Sequence, residues 1–161
     1  ILCNAANKES VINLNLDLKK RQNFQPLAPI LLEEDFEKYF SINKSIIKNL
    51  EWMGTLCDAK QTLYNKYSSI IHVDGTCRVQ TVTEEQNKHY YDLISEFHKL
   101  SGVPVLFNTS FNLAGEPLVE DLKDAIHTLR NSKIEYLYFP ELGKLVTLKN
   151  VEKTVEETTE G

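Results

Sequence analysis

Asn108, Thr109, Ser110 and Asn112 crowd hydroxyls and carboxamides into five positions directly behind the apolar run Val103–Phe107. Small polar side chains and open backbone amides at the end of a strand suit phosphate or acyl oxygens, because an anion can approach the main chain closely there. Gly115 lets the chain fold back after them. The same composition also fits an Asx or Ser/Thr turn that satisfies only its own backbone. A second group of candidates, Lys19 and Arg21, lies two residues apart; in an extended segment both would project to one side and could grip one anion, whereas a solvated basic turn would leave them apart. The third is His72-Val-Asp-Gly-Thr-Cys-Arg78, where Asp74-Gly75 marks a turn and Arg78 alternates with Val79 as on a half-buried strand, facing a cleft or solvent. His72 reads as a binding imidazole or as a satisfied structural one. Asp74 has no second ligand at metal spacing and reads first as a turn former.

The elements that would position these groups follow from periodicity. Helices are expected at Lys8–Leu16, Glu33–Phe40, Ala59–Tyr67 (capped by Asp58) and Leu122–Asn131. Thr83-Glu-Glu-Gln86 has the form of a capping box opening a helix whose apolar stripe is Tyr90, Leu93, Ile94, Phe97 and Leu100, closed by Gly102 and Pro104. Strands are expected at Leu27–Leu32, Leu50–Cys57, Val103–Phe107, Ile134–Phe139 and Lys144–Leu148, with a polar turn over Ser41–Asn49. Strands alternating with helices in 161 residues, 42% of them apolar, describe one α/β domain over residues 1–149. The Thr- and Glu-rich stretch 150–161 is expected to be a disordered tail.

A net charge of −5 argues against broad adhesion to nucleic acid or acidic membranes, though a local basic pocket is compatible with it. No apolar run approaches a membrane span, and the expected location is cytoplasmic. Cys3, Cys57 and Cys77 are odd in number and widely spaced, so they read as small buried hydrophobes. The abrupt opening on the strand-like Ile1–Asn4 implies polypeptide upstream.

Asn108-Thr-Ser-Phe-Asn112 followed by Gly115-Glu-Pro117, His72-Val-Asp-Gly-Thr-x-Arg-Val-Gln80, and Lys19-x-Arg21 with Pro26-Leu-Ala-Pro29 occur in an order that resembles the C-terminal domain of the nodulation-type O-carbamoyltransferases. The resemblance runs from Ile1 to about Leu148. It implies a YrdC-like fold, a twisted mixed β-sheet with flanking helices, and a K-x-R…S-x-N signature on Lys19, Arg21, Ser110 and Asn112 as catalytic residues. Arg78, Thr109, Asn108, His72, Asp74 and Gly115 would bind substrate or ATP. It further implies that ATP with Mg²⁺ and carbamoyl phosphate form carbamoyl adenylate with release of pyrophosphate. A separate N-terminal domain of the actin-like ATPase superfamily would then pass the carbamoyl group to an acceptor hydroxyl and carry the metal, so none is expected here. Gln22, Gln25 and Ala114 depart from the family pattern, which has Glu, Arg and a basic residue there. Each lost charged hydrogen bond would weaken a polyphosphate site by about 1–3 kcal/mol. Two other readings remain: a non-catalytic anion-binding or docking module of the same fold, and an RNA-binding module, which the acidic balance disfavours.

Overall fold

A computed structural model describes residues 1–22, 28–42 and 50–148, and the chain divides into two compact units, Ile1–Ser110 and one beginning at Phe111. The first is built on four short strands: β1 (Leu2–Asn4), β2 (Ala28–Leu32), β6 (Gln80–Val82) and β7 (Leu106–Asn108). Their order in the sheet is β1-β7-β2-β6. β7 runs antiparallel to both β1 and β2, whereas β2 and β6 are parallel. The sheet is therefore mixed. The C-terminal end of β7 lies beside the N-terminal ends of β2 and β6, so the chain entering those two strands and the chain leaving β7 share one edge.

Every residue of β2 is buried, as a central strand covered on both faces requires. On one face Ile30, Leu32, Val82 and Leu106 pack with Ile94 of helix α4 (Lys88–Ser101), supported by Tyr90, Tyr91 and Phe97. Leu31 and Phe107 alternate with them, so they point the opposite way, and both are completely buried. Removing a side chain of this size from water contributes about 1.5–3 kcal/mol. A second sheet holds β3 (Phe40–Ser41), β4 (Leu56–Ala59) and β5 (Thr76–Arg78), all antiparallel, with buried Cys57 opposite buried Cys77. Both are free thiols, as is half-buried Cys3.

Several local expectations shift. The first helix is α-helical only over α1 (Lys8–Ile12) and continues as a π-helix over Asn13–Leu18. The expected Glu33–Phe40 helix is a 3₁₀ turn, Glu33–Asp35, followed by α2 (Phe36–Tyr39), and the Phe36 and Phe40 rings stack at 5.8 Å. Residues 50–52 form a 3₁₀ turn with Trp52 exposed, so the strand begins only at Leu56. Asp58 is paired with Thr76 inside β4, and helix α3 starts later, at Gln61–Tyr67. The Thr83/Gln86 box makes both reciprocal bonds but closes a turn, and Asn87 caps α4 instead, accepting from the Tyr90 amide. On α4 Leu93 and Leu100 are exposed, because at 100° per residue they fall roughly 60–80° from Tyr90 on the side away from Ile94.

The second unit carries helix α5 (Leu122–Arg130), capped by Asp121, and the antiparallel strands β8 (Leu137–Phe139) and β9 (Lys144–Val146). Ala125, Leu129 and Leu137 form its core, with Phe111, Val119 and Ile134 packed against them. Part of the expected polar turn at 41–49 and all of the tail at 150–161 lie outside the described residues. Among the described residues no helix is long and apolar enough to cross a membrane.

Candidate functional site: a cationic strand edge

The π-helix delivers the first cations. Its wider winding makes the Lys19 amide donate to the carbonyl of Leu14 at 3.1 Å, and the Arg21 amide to that of Asn15 at 3.0 Å. Between them Lys20 takes a left-handed conformation, φ 51°. Lys19 and Arg21 thus flank a reversal at a helix end rather than standing on an extended segment. A left-handed residue other than glycine costs about 1–2 kcal/mol, and π-helical turns are rare. Such local costs persist only where surrounding structure over-determines them.

Lys19 is only 9% exposed, and its Nζ donates to Ser110 Oγ at 3.0 Å, 91 residues away in sequence. Burial, and then the neighbouring Arg21 charge, push its ammonium down to about 8. Arg21 is lowered in turn, by burial and by Arg78. Lys19, Arg21 and Arg78 therefore form a contiguous run of positive charge, brought in by the π-helix and by the segment entering β6. Among the described residues neither Arg21 nor Arg78 pairs with a carboxylate. Like charges held together and partly desolvated favour an anion that neutralises them.

The carboxamides come from the strands. Asn108 ends β7, and its Nδ2 reaches across β2 to donate to Gln80 Oε1 at 2.8 Å. Gln80 Nε2 donates to the Glu51 carbonyl at 3.0 Å. Burial alternates along half-buried Asn108, buried Thr109 and exposed Ser110, so Asn108 and Ser110 share the open side. The Thr109 hydroxyl is enclosed with no hydrogen-bond partner among the described residues.

Of the candidates read from sequence, Lys19, Arg21, Arg78, Asn108, Thr109 and Ser110 gather at this edge. His72 and Asp74 sit in the turn that leads into β5, at the end of that strand opposite Arg78. There Asp74 Oδ1 accepts from the Thr76 amide at 2.9 Å and its hydroxyl at 2.8 Å, which hold the carboxyl below its usual range. Asp74 thus shapes a turn, with the His72 amide donating to the Thr76 carbonyl. Asn112 and Gly115 belong to the second unit. Asn112 Nδ2 donates to the Glu116 carbonyl at 2.8 Å across a turn that Gly115 closes at φ 83°. In that unit His127 Nε2 meets Glu116 Oε1 at 3.1 Å. Gln80 and the Glu51 carbonyl were not anticipated as site groups; the alternation Arg78-Val79-Gln80 was the available signal for Gln80, and a main-chain carbonyl carries none.

The sequence matches the family described as Carbamoyltransferase C-terminus over residues 1–145. It is 36% identical to the nodulation protein NolO of Bradyrhizobium diazoefficiens over 137 residues, 85% of this chain and 25% of that protein. It is also 36% identical to the nodulation protein NolNO of Sinorhizobium fredii, over 83% of this chain and 19% of the relative. A 3'-hydroxymethylcephem-O-carbamoyltransferase of Amycolatopsis lactamdurans is 32% identical over 68% of this chain and 20% of its own length. The chain thus spans about a quarter or less of these relatives. In fold it resembles full-length HypF, solved in a phosphate- and nucleotide-bound form, with a TM-score of 0.57 and 21% identity over 81% of this chain and 16% of that one. The mixed sheet with flanking helices is the YrdC-like arrangement expected from the sequence.

Proposed function

The chain belongs to the carbamoyltransferase C-terminal family, and from that premise we propose that its cationic strand edge binds ATP and carbamoyl phosphate and forms carbamoyl adenylate. The observation that carries this reading is the Lys19–Ser110 hydrogen bond at 3.0 Å, which ties a buried lysine to an exposed hydroxyl inside the Lys19, Arg21 and Arg78 charge run. Water releases phosphate from carbamoyl phosphate and leaves carbamate. A carbamate oxygen attacks the α-phosphorus of ATP, and the bond to the β-phosphate breaks with its electron pair leaving on pyrophosphate. One ATP, one carbamoyl phosphate and one water thus give carbamoyl adenylate, pyrophosphate and phosphate. Negative charge accumulates on the α-phosphate and on the departing pyrophosphate, where fixed cations stabilise the transition state more than the ground state. Lys19, Arg21 and Arg78 supply those cations. Ser110 and Asn108 orient oxygen and amide groups of the substrates, and Asn112 is assigned to the same role by the family pattern. Mg²⁺ would be held by the phosphates of ATP and would offset part of their negative charge beside Lys19, Arg21 and Arg78.

Transfer to an acceptor hydroxyl is assigned to another domain, in keeping with relatives four to five times longer than the matched region. The direct test is pyrophosphate release from ATP with and without carbamoyl phosphate, on this chain and on Ser110→Ala. Release that requires carbamoyl phosphate and falls at least tenfold in the variant is expected. A second reading, an anion-binding docking module, is favoured by Gln25, which lies outside the described residues, and by Ala114, exposed and uncharged where the family pattern carries a basic residue. ATP binding with no pyrophosphate release would select it.

A further inference from the structure

The orientation of two carboxamides at this edge is set by a group that cannot be ambiguous. The Glu51 main-chain carbonyl only accepts, so the atom of Gln80 lying 3.0 Å from it must be the donating Nε2. Gln80 then presents Oε1 to Asn108, which must answer with Nδ2 at 2.8 Å. The Asn108 Oδ1 is consequently left as an acceptor. It has no partner among the described residues and, unlike the Thr109 hydroxyl, is not enclosed.

An acceptor fixed beside three cations is of no use to phosphate oxygens, which are acceptors themselves. It calls for an N–H or O–H on the ligand. Asn108 and Ser110 lie two positions apart on the open side, and Ser110 holds Lys19, so the donor must lie a few ångströms from the anion that Lys19 faces. In carbamoyl phosphate the amide nitrogen is that close to the phosphate oxygens. We infer that Gln80, anchored by the Glu51 carbonyl, is a positioning residue that holds Asn108 Oδ1 toward the substrate NH₂, so that the site selects carbamoyl phosphate over acyl phosphates lacking an N–H. This rests on the acyl-phosphate site proposed above.

The test compares carbamoyl phosphate with acetyl phosphate, which replaces NH₂ by CH₃ and keeps every acceptor. Binding of each is measured calorimetrically in the presence of a non-hydrolysable ATP analogue, on the 161-residue chain, Gln80→Leu and Gln80→Glu. One net hydrogen bond predicts about fivefold to tenfold tighter binding of carbamoyl phosphate by the unsubstituted chain. Gln80→Leu frees Asn108 to rotate, and the ratio should fall to about one while acetyl phosphate binds as before. In Gln80→Glu one carboxylate oxygen still accepts from Asn108 Nδ2, but the other is an acceptor set against the Glu51 carbonyl, so the anchor is lost and the ratio should fall below that of the unsubstituted chain while added charge weakens both ligands. Equal affinities in the unsubstituted chain would overturn the inference and leave the acyl-phosphate site standing. Binding of neither phosphate would overturn both. Parallel weakening in Gln80→Leu with the ratio intact would reduce Gln80 to a structural role, and loss of affinity for the ATP analogue with that ratio intact would place the donor on the ribose; either result refutes it. Should Gln80→Leu not fold, the ratios of the unsubstituted chain and Gln80→Glu decide.

Discussion

The lowered ammonium of Lys19 makes nucleotide affinity depend on pH in a calculable way. Lys19 in the free protein loses its proton near pH 8, against an ordinary value of 10.5, because burial and Arg21 oppose its charge. A bound polyphosphate favours the charged form and raises that value, so above pH 8 binding must be accompanied by proton uptake. The affinity for ATP should then be level below pH 8 and fall about tenfold per unit above it. Between pH 8 and pH 10 that is roughly 100-fold, or about 2.7 kcal/mol. Over this range the terminal phosphate of ATP is already ionised and contributes no comparable slope. The assay is a calorimetric titration with metal-free ATP at constant ionic strength, run in buffers of different ionisation enthalpy so that proton uptake is counted directly. Lys19→Arg is the control, since arginine keeps its charge throughout. Its affinity should stay level from pH 7 to pH 10. A level profile for the unsubstituted chain, or an equally steep fall in Lys19→Arg, would show that Lys19 does not face the phosphates.

The same shift makes the free chain more stable as pH rises from about 8 toward 10.5, because the unfolded chain binds the Lys19 proton more tightly; denaturant midpoints across that window test it, and a decrease traced to Lys19 would contradict it. Arg78→Ala should weaken ATP binding about 10- to 100-fold while moving the melting temperature little, since Arg78 is exposed, and a protein that no longer melts cooperatively would contradict that division. Gly75→Ala should destabilise by about 1–2 kcal/mol, because φ is 83° and a Cβ would lie 2.6 Å from the Tyr64 hydroxyl. Adding Tyr64→Phe should recover only the contact part of that loss, as read by thermal melts. Phe107→Ala should cost about 3–5 kcal/mol, read as a lowered denaturant midpoint by circular dichroism, because Phe107 is fully buried in the central strand beside Asn108; an unchanged midpoint would contradict it.

The helices with long, regular apolar stripes were the most legible parts of the chain: α4 and α5 appear within a few residues of their expected ends. Where sequence reading slipped, competing local signals were close in energy. The Thr83-Glu-Glu-Gln86 box forms its bonds, yet Asn87 offers an equally good cap one turn later and sets the start of α4. Leu50-Glu-Trp-Met reads as a strand by composition. It closes instead as a 3₁₀ turn whose Glu51 carbonyl is claimed by Gln80, a partner 29 residues away. The π-helical winding at Asn13–Leu18 has no periodic signature of its own over six residues.

By itself the sequence determined the chemical inventory and its grouping: cations at Lys19, Arg21 and Arg78, hydroxyls and amides behind an apolar strand, and motifs whose order matches one family. That much depends on residue type and local spacing, which a linear chain carries in full. Only the tertiary structure decided which of these groups meet. The parallel pairing of β2 with β6, and the antiparallel pairing of β7 with β2, bring segments some 60 and 90 residues apart in sequence to one edge. There burial lowers Lys19, and the Glu51 carbonyl orients Gln80 and Asn108. Desolvation and the direction of a hydrogen bond are properties of the surroundings of a group, and the sheet register supplies those surroundings.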